Sequence, residues 1–510
     1  MRRGRGNGRT VAATASAAAM VMAATSTAWA APTPGAPGVG DSYYPTYGNG
    51  GYDVTHYGIK VDYDPASDLL TGVATITAKA TQDLSRFDLD FALRAQSVTV
   101  DGAPAKTRTD GLELIITPQQ AVAKDATMTV VVTYAGVPGD VTVDGYSPWI
   151  KTADGAVALG EPQISSWWFP GNDHPRDKAT YDVTVTVPEG VEAISNGRLA
   201  SHRSSKGQEV WRWRENKPMA TYLAFMAVGQ YDITQSTTPS GLPMINAITT
   251  GGDRAGAESA KKDLARSGEV LTRLERYFGP YPFTSTGGVV PVGGFRFALE
   301  TQTRPVYGPR FWADGKTNMY VVVHEQAHQW YGDSVSVHQW KDIWLNEGFA
   351  SYAEWLWSEE EGEGSAAELL KAYYATPADD ALWQTKIGDP GKDNEFDGAV
   401  YDRGAMTLQA LRQRIGDPAF WQVMRNWAAQ HRYKDASIAQ FIALAEKSSG
   451  QDLTRFFDNW LYTTSKPAAT AENGIEGLAT DRGITPVPKS KAALDELHAM
   501  LHAEGKHAGR

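Results

Sequence analysis

The sequence predicts an α+β protein of more than one domain, with a β-rich N-terminal domain followed by a mainly helical one. Three observations carry this. The chain has 510 residues, too many for one ordinary hydrophobic core. Between residues 52 and 232, apolar and polar residues alternate in segments such as YGIKVDY, LTGVATITAKAT, LELIITP and TYDVTVTVP, with Gly, Pro and Asp turns between them. After Pro239 the apolar spacing becomes helical.

Taken in order, residues 1–30 read as a secretory signal. MRRGRGNGR is basic, an alanine-rich and mildly apolar stretch follows, and Ala28-Trp29-Ala30 offers small residues where a signal peptidase reads, so cleavage is expected after Ala30. The expected location is extracellular, by the general export route. No later run reaches the about 18 apolar residues of a membrane span, so no stable membrane insertion is expected. Residues 31–50 are rich in Pro and Gly and read as a linker. Residues 51–237 are assigned to the β-rich domain and 238–466 to the helical one. Within the latter, AKKDLARSGEVLTRLERYFG reads as one helix ending at Gly279, and further helices are expected over 320–331, 345–361, 399–415, 419–431 and 437–447. Residues 467–510 read as a loose C-terminal tail, because large apolar residues are sparse there.

A formal net charge of −11 argues against nucleic acid or an anionic membrane surface as partner. With no cysteine in the chain, disulfides, thiol nucleophiles and thiolate metal ligands are all excluded.

The chemistry concentrates in VVVHEQAHQWYGDSVSVHQWKDIWLNEGFASY, residues 321–352. His324 and His328 stand four apart, on one face of a helix, close enough to share a metal. The flanking apolar residues predict burial, and buried imidazoles and carboxylates need compensation that a cation supplies. Glu347, nineteen residues after His328, completes two imidazoles and one carboxylate, leaving a fourth tetrahedral position open as a catalytic zinc site requires. Glu325 is placed to act as a general base. His338 reads as a loop residue. His498 and His502 also stand four apart, but no glutamate follows the first and the tail promises no buried surroundings, so they read as a decoy.

HEQAH and WLNEGFA, with FPGNDHP at 169–175, KPMATYLAFMAVG, and ERYFGPYPF, resemble the gluzincin aminopeptidases related to aminopeptidase N. The resemblance implies a β-rich domain docked on a thermolysin-like, mainly helical zinc peptidase domain, with one Zn2+ per chain. It also implies that Glu300, in FALET where the family has G-A-M-E-N, binds the substrate's free α-ammonium. Glu161, nine positions before Pro170, joins it there, and Tyr401 in VYDRG stabilises the oxyanion. The implied function is hydrolysis of the N-terminal residue of peptides with a free N-terminus, by a zinc-activated water with Glu325 as base. A thermolysin-like endopeptidase and an inactive peptide-binding paralogue are the alternatives. Larger relatives continue into a helical domain that this sequence does not reach, so a more open site is expected.

Overall fold

The computed structural model describes residues 31–143, 145–478 and 487–505, with positions 1, 4 and 6–8; for 502–505 it describes the backbone alone. The signal-peptide reading of 1–30, the side chain of His502, and residues 479–486 and 506–510 lie outside the described residues. Met1–Ala31 is a unit by itself, and Pro32–Arg510 forms a second, compact unit that contains all the described sheets and helices.

The N-terminal half is built on an eight-stranded sheet. Its order is Arg198–Ser205, Gln208–Ala220, Lys178–Pro188, Tyr52–Asp64, Leu69–Ala80, Thr127–Gly136, Arg94–Val100 and Ala103–Pro104. All neighbours are antiparallel except Lys178–Pro188 against Tyr52–Asp64. Period-two burial is clearest in Lys178–Pro188 and Leu69–Ala80, and in Tyr52–Asp64 it slips once. In Tyr52–Asp64 the buried residues are Tyr52 and Val54, then Tyr57, Ile59, Val61 and Tyr63. The register shifts between Val54 and His56, and this bulge moves the inward set from even to odd positions. Two four-stranded sheets complete the half.

The second half contains a five-stranded mixed sheet ordered Tyr231–Thr237, Pro243–Thr249, Thr286–Val290, Val306–Tyr307 and Ala298–Leu299. Ten helices follow among the described residues: α1 (Arg254–Ala265), α2 (Ser267–Phe278), α3 (Met319–His328), α4 (Trp344–Glu361), α5 (Ala366–Tyr374), α6 (Gly398–Ile415), α7 (Asp417–Gln430), α8 (Ile438–Ser449), α9 (Thr454–Leu461) and α10 (Lys491–Gly505). The stretch read as one helix is two. It breaks at Arg266, where the Ser267 hydroxyl donates to the Leu264 carbonyl, and α2 ends at Gly279 with φ 90°.

α4 and α6 cross closely because each brings a glycine to the contact. A Cβ on Gly348 would lie 3.0 Å from the Gly404 Cα, and one on Gly404 2.7 Å from the Gly348 Cα. The two helices carry Glu347 and Tyr401, so the small-residue contact brings those side chains to the same cavity.

Three expectations on organisation are corrected. A boundary at 237/238 would cut the hairpin Tyr231–Thr237 to Pro243–Thr249, which belongs to the second sheet. Period-two alternation looks the same in either sheet, so the strand carries no sign of its owner. Residues 31–50 are not a free linker: Thr33–Pro34 pairs with Leu84–Asp90, and the buried Tyr44 hydroxyl donates to Glu395 at 2.5 Å. Nor is the tail loose where it is described. Ile475 is buried, and α10 packs on α3 and α6 through Leu494, Leu497, His498 and Leu501. The three leucines, spaced by three and four, make one apolar stripe with His498 on the same face.

Candidate active site

α3 is buried on all sides, and its last two turns present His324 and His328 toward Glu347 at the start of α4. The Nε2 atoms of His324 and His328 lie 3.2 and 3.4 Å from one Glu347 oxygen. The opposite ring nitrogens are engaged elsewhere. His328 Nδ1 donates to the Tyr331 carbonyl at 3.0 Å, and His324 Nδ1 meets Glu354 Oε1 at 2.6 Å. Fixing Nδ1 as the donor leaves Nε2 as the free lone pair, which is the tautomer a metal ligand needs. Burial would raise the Glu347 carboxyl, but the two imidazoles, when protonated at Nε2, hold it well below the usual carboxylate range, and a metal ion in place of those protons supplies the same counter-charge. Two imidazoles and an ionised carboxylate, with their donor atoms within 4.8 Å of one another, are the donor set of a three-residue zinc site.

All seven sequence-predicted residues line one cavity: Glu161, Glu300, His324, Glu325, His328, Glu347 and Tyr401. Glu325, next to a ligand on α3, is pushed up to about 8 by burial, with Glu300 and Glu347 adding to the rise and the imidazoles opposing it. Carboxylate oxygens of Glu300 and Glu325 come within 4.8 Å of each other and of a His328 nitrogen. The Tyr401 ring lies along His324, with centroids 5.9 Å apart and planes at 20°. His338 is not part of the site; its Nδ1 meets Asp435 at 2.6 Å.

Glu300 follows the edge strand Ala298–Leu299. Its Oε1 accepts from the Tyr222 hydroxyl at 3.1 Å, and its carbonyl accepts from Gln329 Nε2 at 2.9 Å. Gln329 Oε1 in turn accepts from the Thr303 amide at 2.7 Å, so the residue after His328 pins the FALET loop to the end of α3. Glu161 is partly exposed, while its Oε1 is buried without a hydrogen-bond partner. Burial first, then Glu300 and Glu347, push its carboxyl well above the usual range.

Several contributors escape a linear reading. Tyr222 belongs to KPMATYLAF, whose Thr221 donates to Asp173 of FPGNDHP at 2.6 Å; the two motifs are joined, and Tyr222 reaches Glu300 from that junction. Glu354, seven residues after Glu347 and so on the same face of α4, supports His324. Its second oxygen meets His498 Nε2 at 2.9 Å, and His498 Nδ1 meets Asp402 at 2.6 Å. His498, expected to be a decoy in a tail without buried surroundings, is thus buried behind the metal site. It is no ligand but a hydrogen-bonding partner, carried there on α10 beside the buried Leu494 and Leu497.

This fold and this site define a zinc metallopeptidase of the two-histidine, one-glutamate type. Residues 53–223 match the Peptidase M1 N-terminal domain and residues 310–460 the Peptidase family M1 domain, and the chain belongs to the M1 peptidase family. Among solved structures, the chain resembles the M1 zinc metallopeptidase of Deinococcus radiodurans. The TM-score is 0.74 with 28% identity, covering 88% of this chain and 98% of that one. A variant of that enzyme bound to a Tyr-Ser-Ala substrate superposes with TM-score 0.74 at 27% identity, covering 88% of this chain and 99% of that one. Glutamyl aminopeptidase of Rattus norvegicus is 25% identical over 462 residues, or 81% of this chain and 47% of that protein. Probable aminopeptidase 1 of Sulfurisphaera tokodaii is 25% identical over 457 residues, 83% of this chain and 54% of that protein. The chain thus spans about half or less of the length of the curated relatives it matches.

Proposed function

We propose that this protein is an exported aminopeptidase that removes the N-terminal residue of peptides. One observation carries the reading: a single cavity sets the zinc triad of His324, His328 and Glu347 beside two further carboxylates, Glu161 and Glu300. A free α-amine has a pKa of about 8 and is largely protonated at neutral pH. Two carboxylates recognise that cation, whereas a continuing acyl chain offers them no charge. Their raised protonation is what buried carboxylates show when the counter-charge comes with the ligand.

Zinc held by the triad supplies Lewis acidity toward the substrate carbonyl and a water. Glu325 accepts the water's proton at its carboxylate and returns it to the leaving amine. The Tyr401 hydroxyl donates to the oxygen on which charge develops. Glu161 and Glu300 hold the α-ammonium, with Tyr222 orienting Glu300. The variant of the Deinococcus enzyme bound to Tyr-Ser-Ala, and variants of a two-domain M1 zinc metallopeptidase bound to L-arginine and to L-tryptophan, accord with a site that receives peptides and free amino acids.

Export rests on the basic start, the alanine-rich stretch and the small residues before Ala31. Sequencing the N-terminus of the protein recovered from culture medium checks it. The peptidase assignment is tested with a peptide and its N-acetylated twin, digests of both being read by mass spectrometry. The free-amine peptide should shorten from its N-terminus one residue at a time, and the acetylated one should resist. Internal cuts at equal rates in both would establish the endopeptidase alternative.

A further inference from the structure

The apolar lining of the cavity comes from distant parts of the chain. Phe297 and Leu299 stand on the FALET segment, Phe396 precedes α6, and Leu501 arrives on α10. Leu501 is far from the HEQAH motif in sequence, yet in space it shares the cavity with His324 and Glu325.

α10 is fixed along its length. The Lys489 amide donates to the Glu363 carbonyl at 2.7 Å, just before the helix begins. The Ser358 hydroxyl donates to Ser490 at 2.7 Å, and the Tyr373 hydroxyl to Asp495 at 3.2 Å. Leu494 and Leu497 are fully buried. One residue on, His498 bridges Glu354, which supports a zinc ligand, and Asp402, the neighbour of Tyr401. Leu501 lies one turn further along the same face and is 8% exposed. A helix held this way delivers its next inward side chain to a fixed place.

We propose that Leu501 is a specificity-determining residue, closing an apolar wall with Phe297, Leu299 and Phe396 and limiting the size of the apolar side chain accepted beside the scissile bond. His498 is the positioning residue that holds this wall in place. The inference rests on the peptidase reading above and adds to it a substrate class: peptides with an apolar residue next to the cleaved bond, up to a size that Leu501 sets.

Size discrimination in a hydrophobic pocket amounts to about 10–200-fold per methylene-sized change. Leu501→Ala removes the branched end of the side chain and should raise the kcat/KM ratio of tryptophan- over alanine-bearing substrates about tenfold or more. Leu501→Trp should lower the same ratio. A general loss of folded enzyme scales both substrates alike and cancels in the ratio, so a merely structural role would leave it unmoved. His498→Ala, with zinc content measured beside it, should move the ratio in the same direction as Leu501→Ala.

The panel is run on the full chain with free-amine and N-acetylated peptides carrying tryptophan or alanine on either side of the cleaved bond. The size ratio is then read on whichever form is cut, so failure of the aminopeptidase reading stays separate from failure of this one. A ratio unchanged within about twofold in both Leu501 variants overturns the assignment of Leu501. A ratio unchanged in His498→Ala overturns the anchoring role.

Discussion

Glu347 and Glu161 line the same cavity, yet their surroundings drive the same side chain in opposite directions. Glu347 faces two imidazoles and is held ionised despite its burial. Glu161 has carboxylates for electrostatic neighbours, with Glu300 foremost, and is pushed well above the usual range. Burial acts alike on both, so the counter-charge decides. The metal end of the cleft carries a built-in donor set. At the other end the carboxyls hold on to their protons until a cationic ligand brings the counter-charge that lets them ionise.

The largest effect should come from breaking the metal end. His324→Ala, His328→Ala and Glu347→Ala should each lose zinc on dialysis, seen by metal analysis, with turnover falling to background. Full retention of zinc in all three would place the metal elsewhere. Glu325→Gln should instead keep zinc and lose about 10²–10⁴ in kcat, because an amide cannot accept the water's proton. Near wild-type turnover in that zinc-loaded variant would remove Glu325 from the base role. Tyr401→Phe tests the oxyanion contact at the junction of the two ends. It should lower kcat about 10²-fold or more with metal content unchanged, and an unaltered kcat would leave Tyr401 as packing against His324.

Smaller effects are expected at the ammonium end. Glu300→Ala removes a charge-assisted contact and should raise KM for free-amine peptides roughly 10–100-fold. No change in KM would detach Glu300 from substrate. The smallest effect concerns Glu395, one of the carboxylates that raise Glu161. Burial pushes Glu395 up to about 8, against the hydrogen bond from Tyr44. Between the ordinary value of 4.5 and about 8, the folded protein holds a proton that the unfolded chain has released. Stability therefore falls as pH rises through that window. Glu395→Gln removes the titration, so its Tm should drop less between pH 5 and pH 8 than that of the wild type. Equal drops would show that Glu395 is ionised in the fold throughout.

The zinc triad is legible because its residues sit within one short stretch and helical spacing fixes the geometry. Glu161, Glu300 and Tyr401 come from the resemblance to the gluzincin aminopeptidases, and the fold brings all three into the cavity. Glu354 could have been found, since seven residues is two turns from Glu347. His498 could not, because nothing local says that a helix 144 residues away will close on Glu354. Residues 31–50 and the tail mislead for a common reason. Proline, glycine and a scarcity of large apolar residues report how the backbone turns, not whether a few side chains are buried. Asp41 and Tyr44 show this at one end, and Leu494 and Leu497 at the other.

The segment before Tyr52 is stitched to both halves of the molecule. Asp41 meets His174 of the N-terminal half at 3.1 Å and accepts from the Trp340 amide of the second half at 2.9 Å. Arg176 donates both to Val39 within this segment and to the His338 carbonyl. Neither half can loosen from the other without unseating these contacts, those of Asp41 being buried, so the segment couples their melting. Heat should take both halves in one cooperative transition, with calorimetric and van't Hoff enthalpies in agreement. Asp41→Ala, which cuts the strap at its most connected residue, should be where that single transition begins to separate into two.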